Sequence, residues 1–136
     1  RIQDFLGSRF VDYEKYIWAT DYLSIPALHL SNFIDDYQSL GLYGMLHSWE
    51  SLITNKYYHP RWLMISLPGI SFHYDLAHLL EKNDGKRIQV FNLVDPFYGN
   101  LSKQKLLKIP HYQLYKNALA KNNYTTEHKA LTAFLK

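Results

Sequence analysis

No cysteine occurs anywhere in the 136 residues of this chain, so its fold has to be held by packing rather than by cross-links. Disulfide frameworks, thiolate zinc sites, iron–sulfur ligation and thiol catalysis are excluded with it. The apolar material suffices, because 47% of the residues are hydrophobic and only 20% charged, far from the compositions that stay disordered. A chain of this size buries roughly 68% of the surface its unfolded form exposes, and residues 1–136 read as one domain. The longest stretches free of charge, Tyr37 to Trp49 and Trp62 to Tyr74, hold 13 residues each, short of the roughly 20 that a membrane-spanning helix needs. The opening residues lack the basic-then-apolar run of a signal peptide, so no membrane partner and a cytoplasmic location are the expectation.

Periodicity changes along the chain. Phe10, Tyr13, Tyr16 and Ile17 recur at helical spacing and predict a helix over about residues 8–20. Ser24 and Pro26 mark the start of a second, carried by Leu30, Phe33, Ile34 and Tyr37 up to Gly41. A short extended piece then covers Leu42 to Leu46, and Ser48 caps a brief helix from Trp49 to Thr54. Arg61 to Leu67 and Ile70 to Leu76 read as strands around the breaker Pro68-Gly69. Asn83-Asp84-Gly85 is a hairpin-turn signal leading into a strand from Arg87 to Leu93. Ser102 caps a short helix, and two helical segments follow at about 111–121 and 126–135, broken at Asn122-Asn123. Strands between runs of helices predict an α+β fold whose central sheet is mostly antiparallel, flanked by N-terminal and C-terminal helices.

Recognised chemistry is sparse. G-x-S-x-G, the phosphate-binding G-x-x-x-x-G-K-[ST] and G-x-G-x-x-G are all absent. His73-x-Asp75-x-x-His78 is the one cluster with metal or acid–base potential: on a strand, His73 and Asp75 share a face. A metal-dependent hydrolase centred on these three is therefore an alternative, although no established ligand motif is matched and no metal or cofactor is expected. Net charge is +3, with seven Lys against one Glu in residues 101–136. Those Lys alternate with Leu and Ile as on solvated helix faces, which leaves nucleic-acid binding through the Lys-rich C-terminal helices as the other alternative, placed ahead of the hydrolase. The surplus is aromatic, with 12 Tyr, 7 Phe and 3 Trp, more than one core hides. Tyr and Trp give large contact area at low entropic cost, so a protein partner is the favoured reading, with Asp35, Asp36, Tyr43, Trp49, Tyr57, Tyr58 and Tyr98 as contact candidates.

The order of motifs carries a resemblance. The run from Ser24-Ile25-Pro26 to Asp35-Asp36-Tyr37, then Gly41-Leu42-Tyr43-Gly44 with Ser48-Trp49-Glu50, His59-Pro60-Arg61-Trp62-Leu63-Met64-Ile65, Ser71-Phe72-His73-Tyr74-Asp75 and Asp84-Gly85-Lys86-Arg87 is similar, in sequence order, to the SUKH superfamily of Smi/Knr-type immunity domains. The resemblance implies a noncatalytic immunity protein that binds and neutralises a cognate bacterial toxin by covering its active site. His29 departs from the family's usual aromatic, and the basic pI near 9.0 departs from its acidic members.

Overall fold

Alternation of apolar and other residues organises the sheet. In β1 (Tyr16–Thr20), β2 (Ser39–Tyr43) and β3 (Arg87–Phe91), Ile17 and Ala19, Leu40 and Leu42, and Ile88 and Val90 project to one face. The computed structural model describes residues 2–10, 12–83, 87–109, 112–116, 118–119 and 126–136. Helix α1 (Ile2–Arg9) precedes the sheet, and α2 (Ser24–Leu30) connects β1 to β2. Between β2 and β3 lie α3 (Trp49–Thr54), 3₁₀ turns at Pro60–Met64 and Ile70–Phe72, and α4 (Leu76–Lys82). Then come α5 (Lys103–Leu106), α6 (Tyr112–Lys116) and α7 (Glu127–Phe134).

The strand order is β1-β2-β3 and both pairings are parallel, with Ile17 opposite Leu40 and Leu40 opposite Ile88. Ile25 and Leu28 of α2, Trp49 and Leu52 of α3 and Leu76, Leu79 and Leu80 of α4 bury that face. The opposite face is closed by α7: Phe134 and Ala130 pack with Phe91, Trp18 and Tyr43. Glu127 of α7 also accepts a hydrogen bond from Trp18 Nε1 at 3.2 Å. Beyond β3, the amide of Val90 donates to the Ala118 carbonyl at 2.7 Å.

All three strands stop at one level. Thr20, Tyr43 and Phe91 are in register, and the residue after each, Asp21 (φ 51°), Gly44 (φ 68°) and Asn92 (φ 51°), adopts the left-handed conformation. The segments after β2 and β3 then run on side by side, bridged at Leu46 and Val94.

The antiparallel expectation is thus corrected: the chain is α+β with a small sheet, but every strand is parallel. Parallel neighbours need long crossovers, and here each crossover contains helix. The helix expected over 8–20 is instead β1 preceded by a turn in which the Tyr13 amide donates to the Phe10 carbonyl. The second helix ends at Leu30, and Gly41, read as its stop, is the middle of β2. The strands expected at 61–67 and 70–76 are the two 3₁₀ turns and the start of α4. Pro60 occupies the first helical position there and the His59 ring accepts the Arg61 amide, which favours a helical turn over a strand. Asp84 and Gly85 lie outside the described residues, as does Asn122-Asn123; the elements flanking Asp84-Gly85 are α4 and β3, not two strands of a hairpin. The helices starting after Ser48 and Ser102 and the strand from Arg87 stand where the sequence places them.

Candidate functional site

The one cluster with recognisable chemistry serves as scaffolding. Asp75 is the N-cap of α4, and the His78 ring accepts its amide at 3.1 Å in a capping box. Its carboxylate Oδ1 accepts the amides of Leu76 at 2.7 Å and Trp49 at 2.6 Å, while Oδ2 accepts the Ser48 hydroxyl at 2.5 Å. A single side chain therefore caps both α3 and α4. His73 is exposed at the end of a 3₁₀ turn rather than beside Asp75 on a strand face. Among the described residues no three His, Cys, Asp or Glu side chains stand together as a metal would require. Behind α3, the fully buried Tyr115 donates to the His47 carbonyl. Burial first, and the Asp75 charge second, hold the Tyr115 hydroxyl well above its ordinary pKa of 10.0.

Two concavities flank α3. The first is an apolar groove of about 390 Å³ between α3 and the 63–71 segment, with Trp49 and Leu52 among its lining residues. Ile53, Leu63 and Leu67 line it while 67%, 58% and 64% exposed. Met64 (73%) follows Leu63 in the chain, and Phe72 (89%) lies against the backbone of Gly69, another lining residue. A 3₁₀ turn has three residues per turn, so Trp62 and Ile65 point inward and Leu63 and Met64 outward. This is an apolar surface in contact with water, of the kind that marks interaction sites.

The second concavity is polar, about 450 Å³, and lies beyond the carboxyl ends of β2 and β3. His47, Glu50, Asn55, Asp95, Phe97 and Lys105 contribute to its lining. His47 is 9% exposed, and its Nδ1 is 3.0 Å from the Val94 carbonyl. A carbonyl only accepts, so Nδ1 carries the proton and Nε2 is left as an acceptor. Asp95 Oδ1 accepts the amides of Phe97 at 2.9 Å and Gly99 at 2.8 Å, fixing the loop that forms one wall. In that loop Tyr98, at φ 64°, stacks on buried Trp62 at 4.6 Å. The Tyr98 hydroxyl is buried, and its pKa is raised by burial first and by the Asp21 charge second, against smaller opposing effects of the nearby Arg61 guanidinium.

The contact residues read from the sequence fall into several places. Trp49 is 1% exposed and packs in the core, while also contributing to the lining of the apolar groove. Tyr43 packs under α7 beside Trp18. Tyr58 lines the apolar groove, and Tyr57, 64% exposed, precedes it in the chain with the Lys56 ammonium 5.2 Å from its ring centroid. Asp35 and Asp36 are exposed and precede β2, at the amino end of the sheet, where Asp36 pairs with Lys15. Tyr98 lies beyond the carboxyl ends, so it and the two aspartates do not share a surface. The exposed Leu63, Met64, Leu67 and Phe72, and the polar cleft around His47, were not singled out by sequence. For the former, the signal was His59-Pro60, a helix-start pair inside an apolar run.

Among the described residues no helix is long and apolar enough to cross a membrane. Compared with known protein families, curated proteins and solved structures, the chain matches none.

Proposed function

We propose that this chain is a noncatalytic recognition module that binds a protein partner through the apolar groove beside α3, the partner class implied by the motif order being a cognate toxin. The observation that carries the reading is the gathering of Ile53, Leu63 and Leu67, each more than half exposed, on one groove. Burying one such side chain contributes about 1.5–3 kcal/mol, so a few of them supply a strong anchor without any catalytic group. Tyr58 on the lining and exposed Tyr57 beside it add aromatic contact area of the sort that interfaces favour. The residues with catalytic potential, Asp75 and His78, are engaged in capping, which supports binding over turnover.

The test is co-expression with the toxic polypeptide of the chain's own locus. The expected result is protection of the cells and a co-purifying complex. Leu67→Asp, which alters an exposed position and leaves the core intact, should weaken that complex tenfold or more. No protection by the folded wild-type chain overturns the reading, and so does a Leu67→Asp variant that protects equally well.

A further inference from the structure

The polar cleft has an unbalanced hydrogen-bonding inventory. Its hydroxyl donors and one of the two Asn55 amide hydrogens are already committed within the protein: Thr54 Oγ1 donates to the Glu50 carbonyl at 3.0 Å, Ser51 Oγ to the Ser48 carbonyl at 2.6 Å, and Asn55 Nδ2 to the Ser51 carbonyl at 2.6 Å. The His47 Nδ1–H is held by the Val94 carbonyl and the Ser48 hydroxyl by Asp75. What these side chains leave to the cleft is one Asn55 N–H against a larger set of acceptors, His47 Nε2, Asn55 Oδ1, Asp95 Oδ2 and the Glu50 carboxylate, which accept no side-chain hydrogen bond among the described residues. Among the described residues Lys105 is the one cationic donor on the lining, and it is exposed on α5. The Phe97 side chain, 56% exposed, stands on the same lining.

We propose that this cleft is a binding site for a small organic cation bearing a primary ammonium group. An acceptor-rich cleft with two carboxylates is complementary to a group that brings three donors and a positive charge, and an exposed aromatic face adds a cation–π contact. His47 is the decisive element, because it is nine-tenths buried and its tautomer is set by a backbone carbonyl, so Nε2 is a fixed acceptor rather than a mobile surface group. The position also agrees with the general placement of ligands in parallel sheets, outside the carboxyl ends of the strands. The volume of about 450 Å³ is within the range of small-molecule clefts. Lys105 carries the same sign as the ligand and opposes it. The cleft adjoins the apolar groove at Asn55, which lines both, but its test does not depend on a protein partner.

The experiment is a titration of the full chain, labelled with ¹⁵N, with putrescine at constant ionic strength, following the imidazole resonances of His47. Glucose and inorganic phosphate are titrated in parallel as a neutral polyol and an anion. Putrescine is expected to shift the His47 ring saturably while the other two do not. Glu50→Gln should weaken the binding at least fivefold, and Lys105→Ala should tighten it, both positions being exposed so that the fold is kept. The proposal is overturned if putrescine gives no saturable shift, if glucose or phosphate binds in its place, or if Glu50→Gln binds as the wild type does.

Discussion

Gly41 occupies the middle of the central strand, where a glycine ordinarily weakens pairing. The reason lies in Trp18, its register partner on β1. A Cβ built at Gly41 would stand 2.4 Å from Trp18 Cε3 and 3.2 Å from Phe134 Cδ2, so the indole lies directly over the glycine and α7 closes on top of both. Gly41→Ala should therefore push the indole aside and destabilise the protein by about 1–3 kcal/mol, read as a lower midpoint in urea with an unchanged slope. Equal stability of Gly41→Ala and wild type would show that the ring moves freely. This explains why Gly41 misleads when read by itself: a helix stop and a cradle for a distant tryptophan use the same residue, and the partner is 23 positions away, Trp18 to Gly41. Residue type likewise does not say which tryptophans the core takes: Trp49 and Trp62 are both buried in it.

At the scale of elements, the local signals that act through the backbone were legible. Ser48 caps α3 through the Ser51 amide, and the Ser102 hydroxyl accepts the Lys105 amide in α5, both as the side-chain chemistry dictates. The 3₁₀ turns were not, because Trp62-Leu63-Met64-Ile65 is apolar throughout and carries no period that separates a buried strand from a turn with half its side chains outside. Nor did spacing reveal that Asp75 joins two elements: its own helix is local, but α3 begins 26 residues earlier, at Trp49. Asp75→Ala removes acceptors from the Trp49 and Leu76 amides and the Ser48 hydroxyl together, so it should cost about 2–4 kcal/mol. Asp75→Asn, which keeps one carbonyl oxygen, should recover part of that loss. Chemical denaturation of the pair checks the ranking, and an Asp75→Ala variant within 0.5 kcal/mol of wild type, roughly the scale of a neutral surface change, would show that the double cap is dispensable.

For the whole molecule, the α+β class followed from the order of helical and extended segments, whereas strand direction did not. Direction depends on whether the connections can carry helices back across the sheet, and the second helix and the 61–76 region were misjudged in just that respect. The candidate clefts were equally hidden, because they arise where the extensions of β2 and β3 and the two flanks of α3 come together in space. One global property is predictable from the core. Unfolded Tyr115 ionises near pH 10.0 but buried Tyr115 resists doing so, so above that pH the unfolded chain binds fewer protons than the native one. Stability is then intact below about pH 10 and falls as pH rises, by up to ~1.4 kcal/mol per pH unit from this group. Tyr115→Phe should flatten this alkaline slope while costing ~1 kcal/mol at neutral pH for the lost hydrogen bond to the His47 carbonyl; an unaltered slope in pH-dependent melting would assign it to other tyrosines.

Helix α7, which roofs Trp18 and Phe91, follows in sequence every strand that it covers. During synthesis the sheet can pair before its lid has left the ribosome, so a nascent chain carries a bare aromatic plate on a half-built protein. That plate is what a chaperone would grip, and any product released before Phe134 is added would keep it on show to proteases.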